Sequence, residues 1–505
     1  PWITSSLKDL IKRRQMALNR GDTQEFKYLR NQVNRARKVC RAKYYEAKVK
    51  HLKECKASDW WKEVKKLSGM THVYSSREQM LRSLENIDEL SKVNTSDLAN
   101  IINEAFLSPM SNFSLLSQNV LSQFDAVSPE PVFTVTTHSV FMKLLQLNPS
   151  KANGPDGIPS WLLKENASLL SCPVKEILDS SYREGHLPQS WKKADITPLA
   201  KQKPVKDINK HLRPISLTPI LSKVAEDFVV ESFVKPAVMK QIDSKQFGTI
   251  PQSSTTHALI SMIHTWIKQT DGNGSAVRVV LFDFKKAFDL IDHSILVEKL
   301  VTFDIPHGII KWIVDFLIDR KQRVKLSQDC YSEWGVVPAG VPQGTKLGPW
   351  LFAMMINNLN VTDANLWKYV DDTTISEHVE KHEISRVQSH VDELIEKAKD
   401  DKFQLNEAKC KELCISFARS ERSFSPILIN DKPIEVVSNA KILGMSISKD
   451  LKWNVHILDI VKKASSRLYF LRQLKRAKIN EKDLLTFYLT CVRPVTEYAC
   501  PVFHN

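Results

Sequence analysis

Tyr369-Val370-Asp371-Asp372 decides how this chain is read. Leu366, Trp367 and Val370 make the approach apolar, and Thr373, Thr374 and Ile375 beyond it favour extended backbone. The pattern predicts strand, tight turn, strand, with two adjacent carboxylates at the tip. Neighbouring anions repel, and a divalent cation turns that repulsion into coordination. A solvated turn rich in Asp fits the same four residues, so the metal reading needs a third carboxylate. Asp283 is the candidate. It closes the run Val277-Arg278-Val279-Val280-Leu281-Phe282, which reads as a buried strand, with a helix expected from Lys285. If the two strands lie side by side, Asp283 meets Asp371. Such an oxygen-rich group suits Mg²⁺, and two ions there would clamp the attacking and leaving oxygens of a phosphoryl transfer.

The 505 residues suffice for several subdomains. No apolar run approaches about 20 residues, so no membrane span is expected. The net charge of +15 is unevenly placed. Residues 1–70 hold 19 Lys and Arg against 7 Asp and Glu, residues 441–505 hold 12 against 5, and the middle is left slightly acidic. Basic flanks around an acidic centre suit a polyanion gripped on either side of a metal site. The eight cysteines include no C-x-x-C pair, and free thiols are expected. Neither end of the sequence reads as a natural terminus, which suggests a piece of a longer polyprotein.

Between Ser5 and Leu67 there is no proline and a single glycine, Gly21. Phe26, Leu29, Val33, Ala36 and Cys40 recur three and four apart, the mark of a helix with one apolar seam. Its basic faces suit either packing or a nucleic-acid arm, with Trp60 and Trp61 as an anchor or a stacking platform. Residues 71–135 read as linker with a helix near Ser96 to Phe106. Helices are expected from Thr137 to Leu147 and again up to Gly185, then a strand over 191–199 leading to Lys201. Arg213 stands beside Pro214. A positioned Arg and Lys hold a triphosphate as fork and point charge, although each alone is more often a surface charge. Phe288 follows Asp283 by five residues, either as a core aromatic or as a wall beside a ribose. Gly340-Val341-Pro342-Gln343-Gly344-Thr345-Lys346-Leu347-Gly348-Pro349 lets backbone approach a ligand closely, and an apolar helix, 350–356, should pack under the sheet. A polar helix over 383–399, strands at 413–417 and 442–445, and basic helices from Leu458 to Tyr488 complete the chain.

In this order the motifs resemble those of reverse transcriptases, specifically the non-LTR, LINE-type retrotransposon branch. Residues 191–201 and Leu212-Arg213-Pro214-Ile215 look like its fingers motifs. Phe282-Asp283 to Phe288-Asp289 looks like the first catalytic motif, and the Tyr-Val-Asp-Asp string like the second. The resemblance implies an α+β right-hand polymerase preceded by a basic helical extension. Its parts would be the extension (1–70), a linker (71–135), fingers (136–275), a palm with an antiparallel sheet (276–440), and a primer grip and the start of a helical thumb (441–505). It implies RNA-directed DNA synthesis from dNTPs with two Mg²⁺ ions, Mn²⁺ being a substitute. Asp283, Asp371 and Asp372 would hold the metals, Asp372 orienting as much as ligating. Lys409 would protonate pyrophosphate, and Lys201 and Arg213 would touch the triphosphate. Phe288 would exclude ribose, Gln343 and Gly344 would line the nucleotide pocket, and Tyr369, Leu443 and Gly444 would lie along the primer. An RNA template, a DNA primer or target, and the element's own RNA in a nuclear and cytoplasmic ribonucleoprotein are the implied partners. Gln252 and Asn358 depart from the family's usual Gly and Asp. The rival readings are an RNA-dependent RNA polymerase, disfavoured by the aromatic at 288, and a non-catalytic remnant, disfavoured by three intact carboxylates.

Overall fold

The computed structural model describes residues 2–52, 84, 94–125, 132–202, 204–271, 274–327, 329–418, 422–476 and 478–503, with side chains at 45–52 left aside. Trp60 and Trp61 lie outside them. The chain forms two compact units, one of Pro1–Ser75 with Trp453–Asn505, the other of Ser76–Lys452.

In the first unit, helices Ser5–Asn19 and Thr23–Leu52 are separated at Gly21, whose φ is +75°. Of the predicted seam, Leu29 and Val33 are buried and Phe26, Ala36 and Cys40 half-buried, while the first helix buries Leu7 and Ala17. Helix Asn454–Arg476 belongs to the same unit and leads to a small core of Leu474, Ile479, Phe487, Cys491 and Val492.

The second unit is mixed α+β, with thirteen strands among the described residues. They are β1 (Lys193–Ala200), β2 (Leu212–Leu217), β3 (Ala276–Phe282), β4 (Lys321–Val324) and β5 (Gly335–Val336). After these come β6 (Asn365–Tyr369), β7 (Asp372–Val379), β8 (Lys411–Ser416), β9 (Leu428–Ile429) and β10 (Lys432–Pro433). The last three are β11 (Glu435–Val436), β12 (Asn439–Ile442) and β13 (Met445–Ser448). A five-stranded sheet runs β11-β8-β3-β7-β6, antiparallel except for its β11–β8 edge, and a four-stranded sheet runs β2-β1-β4-β5. Central β3 is buried along almost its whole length, as a near-continuous apolar run requires. Helix Gly348–Asn357, buried from Trp350 to Ile356, shares one core with Val280, Phe282, Leu366 and Ile375. Helix Thr255–Thr270 packs on β3, β6 and β7 and sets Trp266 edge-on to Trp367, 6.2 Å between centroids.

Three local expectations are corrected. No helix starts at Lys285. Turns occupy 285–290, where Lys286 has φ +47°, and the helix is His293–Leu300, capped by Asp292. Residues 442–445 are not one strand but the turn of the β12–β13 hairpin, with positive φ at both Leu443 and Gly444. The helix expected over 383–399 begins only at Val387, because Glu377 ties back the Ser385 hydroxyl and the Arg386 N–H.

Candidate active site

The site grows out of strand register. β6 and β7 pair Tyr369 with Asp372, which leaves Val370 and Asp371 as a two-residue turn. β7 and β3 pair Thr373 with Phe282, so Asp283 leaves its strand beside the turn. The turn is strained: Val370 has φ +59°, a region that costs a β-branched residue about 1–3 kcal/mol. Strain held at such a place is normally paid for by the surrounding fold.

Charge is concentrated here. Burial, and then the charge of Asp283, raises the Asp371 carboxyl above its ordinary value. Burial, followed by Asp371 and Asp283, pushes Asp372 up to about 6. Asp283 is held from the other side: Asn406 Nδ2 donates to its Oδ2 at 2.8 Å, and Lys409 Nζ lies 3.3 Å from the same oxygen. Among the described residues no three His, Cys, Asp or Glu side chains form a ready-made cation cage. The donor set nevertheless fits hard cations that keep waters and draw further oxygens from a phosphate substrate. Crowded carboxylates with raised affinity for protons are the groups a divalent ion would relieve.

Cations and a shaped loop flank the acidic group. Lys201 follows β1, and Arg213 is the second residue of β2, paired with Leu199. Partial burial, then the neighbouring Arg213, lowers the Lys201 amine, and the charges of Asp289, Lys409 and Asp283 also reach it. The 340–345 loop is pinned to both neighbours. Ser216 N donates to Gln343 O at 2.8 Å, and Val341 N donates to Phe288 O at 2.9 Å. Gly344 has φ +117°, and a Cβ there would come within 2.8 Å of Ser216 O, so only glycine fits. Gln343 Nε2 donates to Asp289 Oδ1 at 2.8 Å, which fixes the amide. Burial pushes the Asp289 carboxyl up to about 6. Phe288 stacks on Phe352, centroids 4.3 Å apart and planes 13° from parallel. Leu443 at the hairpin tip lines one cleft with Tyr369 and Asp372, and Gly444 completes the turn beside it.

All twelve residues singled out from sequence therefore lie in the second unit. Register brings the three aspartates together, and Lys201, Arg213 and Lys409 are within electrostatic reach. Sequence reasoning named Asp289 only as the end of a motif and gave Asn406 no task. Asn406 lies three residues before Lys409, and Asp289 sits one residue past Phe288, so position was the available signal. Of the two departures, Gln252 has φ +63°, where glycine would be unstrained, and Asn358 ends helix Gly348–Asn357.

Comparison with known proteins agrees. Residues 199–447 match the family model described as reverse transcriptase (RNA-dependent DNA polymerase). Residues 453–493 match a second model, described as the N-terminal part of alkylated DNA repair protein alkB homolog 8. Three relatives come from Drosophila melanogaster. The probable RNA-directed DNA polymerase from transposon BS is 25% identical over 74% of this chain and 42% of its own length. The probable RNA-directed DNA polymerase from transposon X-element is 26% identical over 70% of this chain and 40% of its own. The RNA-directed DNA polymerase from mobile element jockey is 26% identical over 74% and 42%. The chain thus spans less than half the length of these relatives. Every candidate residue falls inside the matched 199–447, and the family match and the transposon relatives together support a reverse transcriptase domain of the non-LTR, LINE type over that stretch.

Proposed function

We propose that this chain is an RNA-directed DNA polymerase that adds dNTPs to a primer 3′-hydroxyl along an RNA template. The observation that supports the reading is that adjacent antiparallel strands bring Asp283, Asp371 and Asp372 near enough for their charges to interact, with Lys201 and Arg213 in electrostatic reach of Asp371. On this reading the five-stranded sheet is the palm, the β1–β2 sheet the fingers, and helix Asn454–Arg476 the start of a thumb. The three aspartates would hold two Mg²⁺ ions, or Mn²⁺ in their place. When bound, the ions would supply charge neutralisation at the reacting phosphate and acidify the primer hydroxyl.

The side chains do the rest. Lys201 and Arg213 draw in the triphosphate and offset charge on the departing pyrophosphate. Lys409 leaves its 3.3 Å contact with Asp283 to donate a proton to that pyrophosphate. Gln343, its amide fixed by Asp289, and Gly344 form the floor of the nucleotide pocket. Tyr369, Leu443 and Gly444 bear on the primer end. In the first unit, Arg37, Lys38, Arg41 and Arg476 line one concave surface, which suits a phosphate backbone. Among the described residues no helix is long and apolar enough to cross a membrane. The natural partners would be the element's own RNA and a DNA target, met as a ribonucleoprotein in cytoplasm and nucleus.

The test is primer extension. The purified chain, given a primed RNA template and Mg²⁺, should add only the dNTP complementary to the next template base. Absence of templated addition with either Mg²⁺ or Mn²⁺ would overturn the proposal. Phe288 provides a second check. Its ring is held in place by Phe352, so Phe288→Ala opens space where a 2′-hydroxyl would sit. Discrimination against rNTPs, measured as the ratio of kcat/KM values, should fall about tenfold to hundredfold. An unchanged ratio in a folded variant would remove Phe288 from the pocket wall.

A further inference from the structure

The strained turn is gripped from outside by a segment that nothing so far assigns to the chemistry. Residues 243–248 run along β6. Lys368 N donates to Lys245 O at 3.0 Å, Phe247 N donates to Lys368 O at 2.8 Å, and Gln246 forms a parallel bridge with Lys368. This places Gln246 beneath the turn, 4% exposed. Its Oε1 accepts from Gly248 N at 2.9 Å and from Val370 N at 3.3 Å. The Val370 N–H lies in the two-residue turn, beyond the last β6–β7 ladder pair, and Gln246 receives it.

Two further observations support a purpose-built grip. A Cβ on Gly248 would stand 2.3 Å from Val370 N and 2.9 Å from Tyr369 C, so this backbone lies directly against the 369–370 peptide. Lys368, one residue before Tyr369, is fully buried, and its Nζ donates to Asn357 O and Leu359 O, each at 2.9 Å. The same ammonium is 3.0 Å from Asp243, whose N–H donates to Asn357 Oδ1 at 2.9 Å. The strap and β6 are thereby anchored together to the end of helix Gly348–Asn357.

We infer that Gln246 is a positioning residue for the active site: its side-chain carbonyl holds the Val370 N–H and so fixes where the turn presents Asp371 and Asp372. An amide is the right group for this. Its carbonyl oxygen has two lone pairs, one for each N–H that it receives. The activity arm of the test rests on the polymerase reading, and the exchange arm does not.

The experiment compares wild type with Gln246→Met, which keeps length and loses the acceptor, and Gln246→Glu, which keeps an acceptor. Hydrogen exchange in the full chain is followed by mass spectrometry over 366–376, with 276–282 as the internal reference. Gln246→Met should speed exchange at the turn about tenfold, with the reference unchanged, because a lost hydrogen bond opens the turn locally. Gln246→Glu should keep the turn protected. On primed RNA, Gln246→Met should lower kcat roughly tenfold to hundredfold while KM for dNTP stays within about twofold, the signature of misplaced catalytic groups. Wild-type exchange at the turn in Gln246→Met overturns the inference, as does a loss spread equally over 276–282. Equal loss of turn protection in Gln246→Glu overturns it too. If wild type adds no dNTP, the polymerase reading fails while exchange still decides the role of Gln246.

Discussion

Asp371→Asn should eliminate templated dNTP addition, by on the order of 10³-fold or more, the scale on which loss of a preorganised electrostatic group registers. The substitution keeps the size and removes the charge. Asp371 occupies the turn between β6 and β7, with Asp283 leaving the neighbouring strand, so no other carboxylate can move into its place without breaking sheet register. Folding should not suffer. Burial and the nearby Asp283 raise the Asp371 carboxyl, which means its ionised form is disfavoured in the folded chain relative to the unfolded one. At neutral pH the neutral amide relieves that repulsion, so the thermal midpoint should stay level or rise. Activity lost with stability kept is the pattern of a group retained for chemistry at a cost to the fold. Primer extension near the wild-type rate would sink the assignment, and a large drop in midpoint would show that the side chain serves packing instead.

That site was legible because its chemistry is tied to strand periodicity. The run 277–282 and the apolar approach to Tyr369 read correctly as β3 and β6, and once they are strands the positions of Asp283 and Asp371 follow. Errors came where backbone conformation departs from what the side chains advertise. Lys285 to Leu290 has helical composition, yet Lys286 takes φ +47° and Lys285 N donates to Gln404 O at 2.7 Å, which holds the segment in turns and off a helical path. The signal for the true start, Asp292 before His293 and Ser294, was present as an N-cap. Leu443 was read as strand because leucine rarely takes positive φ, and only the neighbouring Gly444 hinted at a turn.

The least legible features are buried charges. Lys368, Glu226 and Arg320 are residue types expected at the surface, and all are 2% exposed or less. Glu226 accepts from Lys346 N at 2.6 Å and from Leu347 N at 3.2 Å, so it holds the end of the glycine-rich loop from below. Nothing local in the sequence announces such a role. The partners lie about 120 positions apart, and only the closed fold reveals that a polar group has been satisfied rather than stranded.

The same logic gives the largest expected effect on stability. Arg278 interrupts the apolar run of β3, and Glu412 sits on β8. Register pairs Arg278 with Cys414 and Val280 with Glu412, so the two charges are diagonal neighbours on one face. Arg278 Nε donates to Glu412 Oε1 at 2.7 Å, with both side chains almost wholly buried. The remaining guanidinium donors reach Ser385 Oγ and Ser425 O, each at 3.0 Å, and the group lies over Phe424. Glu412→Ala removes the carboxylate bonded to Arg278 Nε and leaves Glu377, the register partner of Arg278 on β7, as an anion reached through Ser385 Oγ, so the change should cost about 3 kcal/mol, the lower end for a broken buried pair. Arg278→Met combined with Glu412→Leu replaces both charges by apolar groups of similar length and should recover most of the loss. Because the chain has two compact units, the measurement needs a probe inside the second, such as exchange at 276–282 in rising urea. A cost below about 1 kcal/mol for Glu412→Ala would mean that water reaches the pair and that the centre of this sheet is looser than its register implies.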